Sequence, residues 1–181
     1  MFLYILGGIV IFLVLVFVLI CIYAFFKGTD DTSVMVEKKT ALKLEKISDT
    51  EAVFSTEFPM INRGKEDAAI LDVFARPYLP QEQFNAATVF GHIETSNRRR
   101  NDNYFEALIL KADTQCQLIL TLRFVANNGM NIREALQQMV DMDIAVYYNG
   151  LARKNIYIRK AFLTINGETI RNLVGGAENG K

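Results

Sequence analysis

Tryptophan is absent from this 181-residue chain, histidine occurs once, cysteine twice and proline three times. The cysteines, Cys21 and Cys116, lie far apart, the first inside a long apolar run. No disulfide framework therefore staples the fold, and its core must be stabilised by burial alone. One imidazole, His92, and two separated thiols also fall short of a zinc site with the usual ligand spacing. Charge of one sign is missing too: 20 basic and 20 acidic residues cancel, so no global field attracts nucleic acid or an anionic surface. No serine sits in a Gly-x-Ser-x-Gly elbow, and neither a phosphate loop nor a dinucleotide fingerprint occurs. These absences point to no cofactor, no metal, no specific nucleic-acid partner and no enzyme activity.

What the chain has is an apolar run. Residues 2–26 begin Phe2-Leu3-Tyr4, end Ala24-Phe25-Phe26, and contain no charged side chain. A helix rises about 1.5 Å per residue, so some twenty such residues cross a hydrocarbon core of about 30 Å. A cleaved secretory signal would have a basic start, a shorter apolar stretch and small residues at the cut. Here Met1 alone precedes the run, and large aromatics close it before Lys27. The expectation is a retained anchor spanning the lipid bilayer through Phe2 to Phe26. Tyr4 and Tyr23 fall near its ends, where amphipathic rings favour the headgroups. No Lys or Arg precedes the run, whereas Lys27, Lys38, Lys39 and Lys43 follow it. The positive-inside rule then places the soluble part in the cytoplasm, on the cell membrane.

The remainder divides by composition. Residues 1–27 read as the anchor, 28–39 as a polar tether, 40–170 as one domain and 171–181 as a Gly-rich disordered tail. Within the domain, residues 52–58, 68–75 and 86–95 are strand-like, with Pro77 and Pro80 ending the second. Residues 104–112 and 117–126 read as a hairpin. Leu118, Leu120, Leu122 and Phe124 alternate with Gln117, Ile119, Thr121 and Arg123, which places the first set on one buried face. Ile132, Ala135, Leu136, Met139 and Val140 form one apolar stripe at helical spacing, behind Asn131 as N-cap and Glu134 three residues on. Two further strands, 143–149 and 155–165, turn around Gly150. Seven or eight strands with local hairpins and a single helix imply a mainly β chain: a transmembrane helix followed by an antiparallel β-sandwich.

The stretch Asp141-Met142-Asp143-Ile144-Ala145-Val146-Tyr147-Tyr148-Asn149 resembles the end of an immunoglobulin variable domain, where a short helix, an acidic residue and Ala-Val-Tyr-Tyr lead to the second core cysteine. The resemblance implies an immunoglobulin-like sandwich with Asp143 and Tyr147 at a structural corner, the tyrosine hydroxyl tied back to nearby backbone. Asn149 stands where that family has its cysteine. The layout of span, tether and Ile61-Asn62-Arg63-Gly64 is similar to late-embryogenesis-abundant type-2 and water-stress-hypersensitive domains, which are membrane-anchored sandwiches. Both resemblances imply architecture and no activity.

Few residues suggest chemistry. His92, between Gly91 and Ile93, reads as a half-exposed strand residue. Asp141 and Asp143 are a carboxylate pair able to bind a cation, though such pairs more often cap turns. Cys116 reads as a partly buried strand thiol that would need His92 to act as a nucleophile. Arg98, Arg99 and Arg100 are the sharpest surface feature, since three forked cations can clamp phosphate or a partner, while Glu94 and Asp102 stand near to neutralise them. Pro77-Tyr78-Leu79-Pro80 has the Pro-x-x-Pro form, which two prolines ending a strand also explain. The leading functional class is a membrane-anchored interaction or assembly protein with a protein partner, its contacts placed on loops 97–103 and 149–154. The alternatives are a lipid-headgroup or phosphate module using the arginine run, and a hydrolase or metal enzyme whose site is not visible in sequence.

Overall fold

A computed structural model describes residues 2–100, 102–151 and 155–176. The apolar run forms one helix, α1 (Phe2–Lys27), and none of its apolar window is buried against the rest of the chain. The soluble part is two antiparallel sheets. The first contains β1 (Thr32–Val34), β2 (Lys43–Ile47), β3 (Glu51–Asn62), β5 (Ala87–Thr95) and β7 (Thr114–Ala126), in the order β1-β3-β7-β5, with β2 alongside β3. The second contains β4 (Ala68–Tyr78), β6 (Leu108–Leu110), β8 (Met142–Leu151) and β9 (Ile156–Ile165), in the order β6-β4-β8-β9. With β1 and β2 together as the first strand, this is the A-B-E-D and C-F-G arrangement of the immunoglobulin sandwich, with β6 added beside the C strand.

The core follows from the pleat. Strand β7 is central, paired with β3 on one edge and β5 on the other, and Leu118, Leu120, Leu122 and Phe124 are buried from end to end. Phe124 meets Phe54 edge to face at 5.6 Å, a favoured aromatic geometry. Helix α2 (Ile132–Leu136) plugs one end of the sandwich through Ile132, Ala135 and Leu136. Its N-cap is Asn131, whose side chain accepts from Arg133 N at 2.9 Å.

Four expectations need correction. Residues 28–39 are not a loose tether. Lys65 N donates to Thr29 O at 3.1 Å and Arg63 N to Asp31 O at 2.9 Å, and Thr32 is fully buried in β1. The segment looked hydrophilic because backbone pairing with β3 and the turn at 63–65 holds most of it, while Val34 alone carries a fully core-packed apolar side chain. Residues 104–112 do not pair with β7, whose two edges are already occupied; β6 crosses to the other sheet and joins β4. Strand β4 continues through Pro77 to Tyr78, with Pro77 opposite Ile144. The supposed tail, 171–181, starts inside a second helix of the soluble part, α3 (Gly167–Gly176), which buries Ile170 and Val174. Residues 177–181 lie outside the described ones.

Candidate functional site

Strands β4, β8 and β9 align their outward side chains into rows. Phe74 is opposite Tyr147, which is opposite Lys160; one step on, Arg76, Ala145 and Phe162 form the next row. Phe74 and Tyr147 stack at 5.1 Å with planes 10° apart, and Tyr78 leans on Phe162 at 6.4 Å. The Tyr78 and Tyr147 hydroxyls are 3.2 Å apart, and that hydrogen bond, with burial second, holds the Tyr78 pKa above its usual value. Arg76 lies over the Tyr78 ring at 5.9 Å and Lys160 over Phe162 at 5.2 Å. Aromatic walls with cations on their faces fit a surface bearing apolar groups and carboxylates. Phe74, Tyr78 and Phe162 are all exposed, so the face is an open apolar patch.

Tyr147 therefore is not the corner tyrosine. It points outward, and its hydroxyl meets Tyr78. Its neighbour Tyr148 is the buried one, and its hydroxyl donates to the Thr32 carbonyl at 3.1 Å, across to the other sheet. Strand period two decides this: consecutive tyrosines point to opposite faces, and Val146, Tyr148 and Gly150 take the interior. Asp143 is on the outer face, where it accepts from Thr164 Oγ1 at 2.6 Å. Asp141 accepts from Gly167 N at 2.8 Å, at the start of α3, where a negative charge complements the helix dipole. The two carboxylates thus have separate structural roles. Among the described residues no group of three or more His, Cys, Asp or Glu is placed to hold a metal ion.

The arginine run is paired within its own loop and to the end of β5. Arg98 Nη1 meets Glu106 at 3.1 Å, Arg99 Nε meets Glu94 at 3.2 Å and Arg100 Nε meets Asp102 at 3.0 Å. The Arg100 hydrogen bond pulls the Asp102 carboxyl down to about 2. Glu94 is buried, and its second oxygen accepts from the Arg100 backbone at 2.6 Å. The three cations are therefore compensated one by one, an arrangement that stitches the loop after β5 back onto the sheet. Asn101, in that loop, lies outside the described residues, as do residues 152–154 in the other loop expected to bind.

A cleft of about 630 Å³ opens beside β5, lined by His92, Thr121, Asp72, Phe74, Phe90 and Tyr104 among others. His92 Nε2 is 3.7 Å from Glu94, too long for a hydrogen bond, and the buried His92 Nε2 and Thr121 Oγ1 have no hydrogen-bond partner among the described residues. Cys116 is not near. It is five positions from Thr121 along β7, about 17 Å, and pairs with the buried Met60. Burial raises its thiol to about 11, so it stays protonated and unreactive at neutral pH. The His92–Cys116 pairing is not made.

The aromatic outer face escaped sequence reasoning. Its members sit on three strands far apart in the chain, and the pattern of exposed aromatics in 74–78, 147 and 162 is read as core unless the register is known. No family model matches this chain, and no curated protein matches it. Similar solved structures include the GAE domain of GGA2p from Saccharomyces cerevisiae, at 10% identity, TM-score 0.34, covering 70% of this chain and 87% of that one. Others are a protein from Archaeoglobus fulgidus at 10% identity, TM-score 0.37, covering 74% and 98%, and a FixG-related protein from Vibrio parahaemolyticus at 9% identity, TM-score 0.35, covering 76% and 94%. At these scores the architecture rests on the strand order itself.

Proposed function

We propose that this chain is a single-pass membrane protein that acts by binding, presenting the outer face of its four-stranded sheet to a protein partner at the cell membrane. The observation that carries the reading is the exposed strip of Phe74, Tyr78, Tyr147 and Phe162 with Arg76 and Lys160 laid over its rings. Aromatics and arginine are the residues that dominate protein interfaces, and ordinary solvated faces seldom gather them. The apolar helix, with a mean hydropathy of 3.4 over its candidate span, supports the anchor. The basic residues after it, Lys27, Lys38, Lys39 and Lys43, favour a cytoplasmic domain. The partner is a surface with apolar side chains and carboxylates. A photo-crosslinking residue replacing Phe162 in the full-length protein, in native membranes, should give a discrete adduct, and one replacing Lys43 on the opposite sheet should not. Equal labelling at both positions, or none at Phe162, would sink the assignment of this face.

A further inference from the structure

The row of outward side chains at one end of the four-stranded sheet is apolar on every strand. Ile109 of β6 is opposite Ala69 of β4, Ala69 opposite Leu151 of β8, and Leu151 opposite Ile156 of β9. Ile109, Leu151 and Ile156 are 69%, 44% and 69% exposed, and Ile158, one row above, is 70% exposed.

This is the end at which the anchor enters. Thr32 begins β1 opposite Asn62, whose side-chain amide donates to Leu110 O at 3.1 Å. The Thr32 hydroxyl is 2.6 Å from that of Tyr157, and Tyr157 is opposite Gly150. Thr32, Asn62, Leu110 and Gly150 therefore share one level, and the apolar row lies at that level. Only four residues separate Thr32 from Lys27, the last residue of α1, five steps with a contour of about 18 Å at full extension. The link has no slack to lift the domain away, because Thr29 and Asp31 are bonded to the turn at 63–65. The apolar stretch 2–26 is also about 37 Å long as a helix, longer than a core of about 30 Å, and such helices tilt. Helix α1 feeds the five-stranded sheet through β1, so a lean toward the four-stranded sheet carries the isoleucine row down to the headgroups.

We propose that this row, Ile109, Leu151, Ile156 and Ile158, is seated in the interfacial layer of the same bilayer that α1 crosses. The inference rests on the membrane-anchored reading above. Seating orients the domain, leaving the Phe74–Phe162 strip facing sideways for its partner. The driving force is apolar, since the charges in the segments joining the strands at this end are mixed in sign, Arg63, Lys65, Lys111, Arg153 and Lys154 with Glu66, Asp67 and Asp113. It therefore resists salt.

The test uses the full-length protein, both native cysteines replaced by serine, in phosphatidylcholine vesicles. Nitroxide labels go in turn on Val14→Cys, Ile109→Cys, Ile156→Cys and, at the far end of the sandwich, Gln81→Cys. Collision with oxygen relative to a water-soluble nickel chelate should be raised several-fold at 109 and 156 over position 81, and should be unchanged in high salt. If 109 and 156 match 81 while 14 reads hydrocarbon, the anchor stands and the seating is wrong. If 14 also reads water, the membrane reading itself fails. Shielding of 109 and 156 from both reagents would mean that protein covers the row, and release by salt would mean attraction by charge; either overturns the proposal.

Discussion

At the residue scale, several side chains change meaning once their neighbours are known. Arg99 faces the buried Glu94, so reversing the charge of Arg98, Arg99 and Arg100 together does not leave the fold untouched. It sets carboxylates against a buried carboxylate, and the triple variant should melt at a lower temperature, whereas Arg98→Gln alone, at the exposed Glu106 pair, should melt unchanged. Equal melting of both would mean that the Glu94 pairing has no structural role. Leu120, fully buried between Thr56 and Ile93, should cost about 4 kcal/mol as Leu120→Asp, read from denaturant unfolding of the soluble part. The alkaline limb of stability has named sources. Burial raises Cys116 to about 11 and Tyr157 to about 12. Raised acids favour the neutral form in the folded state, so their contribution is intact below the unfolded values near 8.5 and 10 and is lost as pH rises toward the folded ones. Stability should fall between about pH 9 and 12, and Cys116→Ser should remove the lower part of that fall. A flat profile to pH 11 in the parent protein would contradict the burial of Cys116.

At the scale of elements, two connections decide the shape. Gly64 sits where a Cβ would collide with the backbone of Thr29 and Asp31, so only glycine lets the link lie against the turn. Gly64→Ala should cost about 1–3 kcal/mol and speed amide exchange at Arg63 and Lys65, the two donors to the link; unchanged exchange would show the link was never strapped. Helix α3 is the other. Ile170 is fully buried, Arg171 donates to the Met139 carbonyl, and Arg133 donates to Val174 O at 3.1 Å. Val174→Ala should therefore destabilise by about 1–3 kcal/mol, a loss that a tail disordered from residue 171 could not produce. The glycines at the end of this segment suggested a tail, yet Ile170, Leu173 and Val174 stand at helical spacing, and Asp141 waits at the N-terminus. That signal was present in the sequence. The crossing of β6 was not, because the apolar run Leu108-Ile109-Leu110 just before the short link at 113–115 reads equally well as a hairpin arm, and only the saturation of both β7 edges forbids it.

At the scale of the whole molecule, the apolar helix α1 joins the sandwich through a short link that is bonded to the turn at 63–65. Sequencing the N-terminus of the mature protein should find the chain starting before the apolar run; a start beyond about residue 20 would mean the run is removed, as signal segments are. The sequence by itself determined the helix of 26 residues, the antiparallel β character, the buried stripe of β7 and the cap at Asn131. Each is a local property, because hydropathy over twenty residues, period two and a capping side chain act on neighbours in the chain. Only the tertiary structure decided which tyrosine of Tyr147-Tyr148 is inside, that the arginines are already partnered, that Thr32–Val34 belong to the sheet, and that an apolar row lies at the end where α1 joins the sandwich. These depend on register between strands separated by tens of residues, where a one-position slip exchanges the buried and exposed faces, and no local pattern records that choice.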